Sequence, residues 1–385
     1  MPTGKKILYL QFANPAAYPP VEYSARILAD NGWNICLLGV HSDGPQALDF
    51  VTHPQIRCDV MPYTPPGWRQ KLAYIKFLFA AFEIARKWRP NWLYVSDFLA
   101  APVGVLLGRM LGCKVIYHEH DSPAPRVSSW FIRLVLSARE FIASTASFNI
   151  LPQRERIALF CEETGTNRPV HCVWNCPPKA EAAVLSTRVR KPDEPLSIYF
   201  HGSINLYGVP LALIEGARLC GFSVRIRIVG YETIGSKGAI EQLRAVAQGA
   251  ASNVALEIRG AVSRYELRGM MKDMHVGWIN FVNRSDDLNL RHLVGASNKA
   301  FDYLAAGLPI IVPDTADWRA VFVNPGYARS CDATDPDSIA TTLRWFYENG
   351  AAAAEMGRNG QSRVAAEWNY ESQFKPVLRM LNETW

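Results

Sequence analysis

Ser297-Asn298-Lys299-Ala300-Phe301-Asp302-Tyr303-Leu304-Ala305-Ala306-Gly307-Leu308-Pro309, running directly into Ile310-Ile311-Val312, decides how this chain is read. Ser and Asn open the stretch as helix caps do, Gly307 and Pro309 stop the helix, and the β-branched run beyond them is a buried strand. Lys299 and Asp302 are three residues apart, so they share a helix face beside the free N–H groups of the first turn. A cation at a positive helix end is locally unfavourable and is relieved by a bound phosphate. The same residues also suit an ordinary connection with a surface Lys and Asp.

Working outward, strands and helices alternate. Strands are predicted over 6–10, 34–40, 92–95 and 114–117, with helices over 22–31, 68–88, 101–111 and 128–144, then a short apolar run at 148–151. The texture changes after Val173-Trp174-Asn175-Cys176: residues 179–195 are polar and close on Lys191-Pro192-Asp193-Glu194-Pro195, as a linker does. A second alternation follows, with strands over 196–200, 224–229, 254–258 and 276–280 and helices over 209–220, 236–248, 264–272 and 336–348. Such alternation predicts two α/β domains, each a doubly wound parallel sheet covered on both faces. The boundaries expected are 1–178, a linker 179–195, and a second domain from 196. Ligands of such sheets sit outside the carboxyl ends of the strands, and a cleft between the domains is the default site.

The chain has 385 residues, 49% hydrophobic and 20% charged, which suits two globular domains with real cores. No long apolar run reads as a membrane span or a leader, so the expected place is the cytoplasm. Of eight cysteines only Cys172 and Cys176 lie close together, without partners at zinc-site spacing, and all are expected to be reduced thiols. Residues 65–160 hold 13 Lys/Arg against 6 Asp/Glu, while the whole chain is +6. Within that excess, Trp68-Arg69-Gln70-Lys71, Arg86-Lys87-Trp88-Arg89, Arg126, Trp130 and Arg133 mix rings with cations. The mixture fits peripheral contact with an anionic membrane, at its inner face, or an anionic acceptor; it also fits a solvated face with core tryptophans. No nucleic-acid motif accompanies it.

Three loops carry candidate chemistry. His118-Glu119-His120-Asp121 ends a strand, with the two His on one side and Glu119 on the other, where a group can reach a ligand; a metal site is a second reading, for which no third ligand is identifiable. Phe200-His201-Gly202-Ser203 ends the first strand of the second domain, and Gly202 would admit a phosphate close to the backbone. Val262-Ser263-Arg264-Tyr265-Glu266 holds a capping box at Ser263 and Glu266, and Arg264 or Tyr265 could stack on a nucleotide base. The absence of G-x-G-x-x-G after Leu10 or Phe200, and of a P-loop, argues against a dinucleotide oxidoreductase or a P-loop NTPase.

Together these residues resemble the retaining glycosyltransferases of the GT-B fold, in particular family four, over nearly the whole chain. The resemblance implies two Rossmann-like domains facing a central cleft, a C-terminal helix (366–385, beginning near Trp368-Asn369-Tyr370) that returns to the first domain, and a second domain proper of 196–365. It implies a nucleotide-diphosphate-sugar donor rather than a cofactor, no metal, and a glycan or lipid-linked acceptor, as in polysaccharide assembly. Asp302 matches the family's acid on the ribose hydroxyls, Lys299 its motif lysine, and Gly295-Ala296-Ser297 the loop whose amides face the diphosphate, with Asn298 counted among the donor-binding candidates. His120-Asp121 matches the pair that lies against the donor sugar, and Glu119 is counted with them as a catalytic candidate. Three positions depart from the family: Val294 stands where a first acid is expected, Ser203 and Tyr207 where a basic diphosphate clamp is expected, and Pro19-Pro20 in place of a Gly-Gly loop. Lys299 and Arg291 are candidates for the missing charge, and Asp286 and Asp287 for the missing acid. A GT-B binding or scaffolding protein without catalysis, and a sugar-nucleotide epimerase, are the alternative readings.

Overall fold

The computed structural model describes residues 4–44, 48–123, 129–183, 188–248, 253–282 and 288–383. They form two compact units: Met1–Asn175 with Asp287–Ala296 and Tyr370–Trp385, and Cys176–Asp286 with Ser297–Asn369.

The first unit is built on seven parallel strands: β1 (Lys6–Gln11), β2 (Asn34–Val40), β3 (Ile56–Met61), β4 (Trp92–Ser96), β5 (Lys114–His118), β6 (Phe148–Leu151) and β7 (Val170–Cys172), in the order β3-β2-β1-β4-β5-β6-β7. The order reverses between β1 and β4, the switch point where doubly wound sheets bind ligands. Strands buried on both faces need helices on both, and two apolar layers supply them. Tyr23, Leu28, Val377 and Leu381 pack on one face of the sheet, and Phe77, Ala81, Leu107 and Ile142 on the other. Pro19 and Pro20 are not a loop: they occupy the first turn of the Pro19–Asp30 helix, where a missing N–H costs nothing. The Tyr370–Glu383 helix packs on this same helix, with Tyr370 against Tyr23.

The second unit has six parallel strands: β8 (Leu196–Ser203), β9 (Val224–Tyr231), β10 (Val254–Arg259), β11 (Val276–Trp278), β12 (Ile310–Pro313) and β13 (Ala328–Cys331), in the order β10-β9-β8-β11-β12-β13. Its reversal lies between β8 and β11. Within 179–195 the described residues are held in place. Lys179–Ala183 form a 3-10 turn against the Gly350–Ala366 helix, and the Arg190 guanidinium donates to the carbonyls of Lys191, Pro192, Glu194 and Tyr347. The polar texture is that of a strap held by side-chain bonds.

Elements outside the sequence reading include β3, β13 and the helices Arg156–Thr164 and Gly350–Ala366. The helix expected from Ser128 runs over Trp130–Thr145, capped by the Ser129 hydroxyl, which accepts the Ile132 N–H at 3.3 Å; Ser128 itself lies outside the described residues. All eight cysteines are free thiols. Among the described residues no helix is long and apolar enough to cross a membrane.

Candidate functional site

In the second unit the Asn298–Ala305 helix sits beside the end of β8. Its residues Ala300 to Ala305 are all buried, Asp302 included. Two close approaches fix its position. A side chain at Gly277 would meet the Tyr303 ring at 2.2 Å, so a glycine on β11 is what lets the helix lie down. The Tyr303 hydroxyl then accepts the His201 N–H at 2.9 Å, tying the helix to β8.

Asp302 is the centre of this site. Its carboxylate accepts from Arg264 Nη2 at 2.8 Å and lies 3.4 Å from His201 Nε2. Burial by itself would raise its pKa, but Arg264 and the His201 bond outweigh it and hold the carboxyl at about 2. Arg264 is in turn gripped by both Glu181 oxygens at 2.9 Å. These side chains, with Leu267, Arg268, Met271, Ala305 and Ala306, line a narrow recess open to solvent. His201 is pushed towards its neutral form by burial, opposed by Asp302.

Lys299 lies one turn-face away, over the Phe200 ring at 5.6 Å. Its pKa is lowered by burial and partly restored by Asp302, yet no carboxylate lies within ion-pair distance of it among the described residues. Gly202, at φ +120°, has the Lys299 Cε 2.8 Å from where a side chain would begin. Gly here keeps room for the lysine, a reading that complements close backbone approach by an anion. Ser297 precedes the helix in extended geometry; its hydroxyl is buried, does not cap the helix, and has no partner among the described residues. Asn298 opens the helix half-buried, and Ser203 closes β8 half-buried.

In the first unit, β5 delivers His118, Glu119 and His120. The His rings face the same side, 3.9 Å apart, as expected of alternate residues on extended backbone. His118 Nδ1 is bonded to the Tyr94 hydroxyl, and His120 Nε2 to the Ser96 hydroxyl at 3.0 Å. Burial, helped by Arg156, pushes the His120 pKa down to about 3, so its ring is neutral at ordinary pH. Its Nδ1 has no partner among the described residues. The loop is held by Asp97, a non-glycine residue at φ +64° whose carboxylate accepts the His120 N–H at 2.9 Å. Burial, then the Asp121 charge, raises the Asp97 carboxyl to about 8. Asp121 itself is exposed.

Glu119 is tied into the fold on every side. Fully buried, it accepts from Arg139 Nε at 2.6 Å, Arg139 Nη2 at 2.9 Å, Arg156 Nη2 at 3.1 Å and the Tyr117 hydroxyl at 2.8 Å. A carboxylate with all its acceptor sites spoken for has nothing left for a substrate.

The remaining sequence candidates separate. Gly295 and Ala296 belong to the first unit: the Gly295 carbonyl accepts the Asn175 N–H at 2.7 Å, the Ala296 carbonyl accepts from the Asn175 side chain, and Gly295 at φ +85° lies against Trp174. A side chain there would meet the indole at 2.6 Å, so packing already requires this glycine. Arg291 ends the short Leu288–Arg291 helix in the first unit and is exposed. Tyr265 is 84% exposed and lines a different groove, with Arg227 and Lys272, so it does not join Arg264 at Asp302. Val294 is buried, and Asp286 and Asp287 lie outside the described residues. Glu181 and His201 were not among the candidates; the first stood in an apparent linker, and the second carried only its place at a strand end as a signal. Among the described residues no three His, Cys, Asp or Glu side chains group as metal ligands.

Residues 21–175 match a family model described as a glycosyl transferase 4-like domain, and residues 213–379 one described as glycosyl transferase-like. Curated protein sequences give no match. Solved structures are similar over essentially the whole chain. Sucrose-phosphate synthase from Thermosynechococcus elongatus aligns at TM-score 0.70 and 16% identity, covering 99% of both chains. Anabaena HepE in complex with UDP and glucose aligns at 0.71 and 16%, covering 98% of this chain and 100% of that one. A UDP-forming α,α-trehalose-phosphate synthase from Burkholderia vietnamiensis aligns at 0.67 and 12%, with 98% and 100% covered.

Proposed function

We infer that this chain, which belongs to the family 4-like glycosyltransferases of the GT-B fold, binds its nucleotide-diphosphate-sugar donor through Asp302 and Lys299 and transfers the sugar with retention to a glycan or lipid-linked acceptor. The observation that carries the donor assignment is the contrast between these two side chains. Asp302 is buried yet firmly ionised, and its carboxylate keeps acceptor capacity beyond the one short Arg264 bond, which suits ribose hydroxyls. Lys299 is a half-buried ammonium with no carboxylate at ion-pair distance among the described residues, which suits a diphosphate. The structural relatives described as complexes with UDP make UDP-sugars the first donors to test.

In the reaction the bond between the anomeric carbon and the diphosphate oxygen breaks, a bond from that carbon to the acceptor hydroxyl forms, and the departing diphosphate oxygen takes the acceptor proton. Charge accumulates on the diphosphate, so a preplaced cation such as Lys299 is worth more in the transition state than in the ground state. We assign His120 to the reacting sugar. Its ring is neutral and one nitrogen has no partner among the described residues, so it can exchange a hydrogen bond with a sugar hydroxyl without adding charge. Glu119 takes no part in the chemistry in this reading.

Titration calorimetry with UDP, UDP-sugars and uridine separates the roles. Lys299→Met is expected to weaken the diphosphates at least tenfold and leave uridine unchanged, a charged hydrogen bond being worth about 1.5–3 kcal/mol. His120→Ala is expected to lower turnover while the donor still binds. Unchanged diphosphate affinity in Lys299→Met removes the phosphate assignment, and an inverted product anomer removes retention.

A further inference from the structure

The Trp68–Trp88 helix is apolar on two opposite faces. Tyr74, Phe77, Ala81 and Ala85 face the core. Trp68, Leu72, Ile75 and Phe79 fall within about 60° of one another on the other side, and all four are exposed, Trp68 at 67% and Phe79 at 62%. A helix packed on one face needs no second apolar stripe, and four large side chains left in water along one line mark a binding surface.

The neighbouring Trp130–Thr145 helix extends it. Phe131 packs edge-on against Tyr74 with ring centroids 5.1 Å apart, so the two helix beginnings touch. Trp130, 66% exposed, and Leu134 stand out from this second helix, and Lys71 lies over the Trp130 ring at 6.0 Å. Over the first turns of both helices the charges are of one sign. Lys71 and Lys76 flank the stripe on either side, with Arg69 and Arg133 beside them; Glu83, one turn beyond Phe79 on the same face, is paired with Lys87 at 2.7 Å, and the second helix has no acid before Glu140. The other basic cluster does not contribute: Trp88 is half-buried and takes Lys6 over its ring. Arg126 lies outside the described residues.

We propose that this face docks the enzyme on an anionic lipid bilayer. Trp68, Phe79 and Trp130 would enter the headgroup layer, where indole and phenyl rings are favoured, while Lys71, Lys76, Arg69 and Arg133 meet lipid phosphate. A second protein copy would bring the same cations against themselves, which argues for the bilayer as the occupant.

The test is co-sedimentation of the full chain with vesicles of phosphatidylcholine alone and of phosphatidylcholine mixed with phosphatidylglycerol. Pelleting with the mixed vesicles only, weakened by salt, is expected. Lys71→Gln with Lys76→Gln should lower partition about 30-fold, equivalent to about 1 kcal/mol for each lysine near the surface. Trp68→Ser with Phe79→Ser should lower it at least tenfold while thermal unfolding stays in place, because both side chains are exposed. Three results each overturn the proposal: no pelleting with anionic vesicles, equal pelleting with both compositions, or a lipid-free dimer that the Trp68→Ser, Phe79→Ser variant dissolves.

Discussion

Glu119→Gln separates a structural acid from a catalytic one. The carboxylate is fully buried between Arg139, 4% exposed, and Arg156, 1% exposed. The two guanidiniums place three bonds on it, and Tyr117 adds a fourth. Glutamine keeps the shape but brings an amide N–H₂ against guanidiniums, which only donate, and it deletes the charge both arginines share. Arg139 retains Glu163 at 2.9 Å, so the larger loss falls on Arg156, whose other partners, Gln153 and the His120 carbonyl, are neutral. Breaking a buried pair in this way costs about 3–5 kcal/mol, a large share of the 5–15 kcal/mol that holds a typical domain together. Urea unfolding should therefore show a lower midpoint with an unchanged slope. Turnover should fall only in step with the folded fraction and with the loosening of the His120 loop that Arg156 supports. A variant that keeps wild-type stability within about 1 kcal/mol but loses turnover would refute the reasoning and return Glu119 to the chemistry.

Further expectations concern pH, packing and strain. His120 is held neutral with its pKa near 3 and His118 is pushed down by burial in the same way, so the unfolded state binds more protons below about pH 6.5. Between pH 7 and pH 5 the His120 contribution should fall by about 2 kcal/mol, while Asp97, whose carboxyl burial raises to about 8, gains stability over the same window. The loss is therefore read as the difference between the parent and His120→Ala by chemical unfolding; a difference that stays flat from pH 7 to 5 speaks against the buried neutral ring. Gly277→Ala should cost about 2–3 kcal/mol by forcing the Tyr303 ring away, and should weaken donor binding because Tyr303 holds β8 beside Asp302; unaltered thermal unfolding contradicts this close approach. Asp97→Ala removes the acceptor of the His120 N–H and leaves the strained backbone in place. It should lower turnover more than donor affinity, which steady-state kinetics resolves, and an effect on donor affinity alone counts against a positioning role.

Much of the fold was legible because buried parallel strands and amphipathic helices differ in period, as at β5 followed by the Trp130–Thr145 helix. What escaped notice escaped for local reasons. β3, Ile-Arg-Cys-Asp-Val-Met, is an edge strand with mixed exposure and no apolar run. The Gly350–Ala366 helix contains Gly357 and Gly360, residues that read as breakers, yet they are needed because the Gly307 carbonyl and Leu304 lie where their side chains would be. In the site, the Lys299 and Asp302 face was readable from their spacing. Its long-range partners were not, since Arg264 and His201 reach Asp302 across 38 and 101 residues of chain, and Glu181 reaches Arg264 across 83. The same limit applied to Glu119, because the arginines that claim it come from helices that start well beyond it, and one of those helices was not anticipated. The expectation that the basic tryptophans were solvated face and core was half right: Trp88 is half-buried, but Trp68 and Trp130 stand in water.

The central claim is that Asp302 holds the donor's ribose, and titration of UDP-glucose into Asp302→Asn beside the parent protein tests it most directly. Asparagine keeps the volume and removes a charge that burial alone would not have sustained. The account predicts folded protein whose affinity for the nucleotide sugar drops about 10- to 150-fold, the worth of hydrogen bonds to a charged acceptor. An Asp302→Asn variant that folds and binds every tested nucleotide sugar as tightly as the parent contradicts it.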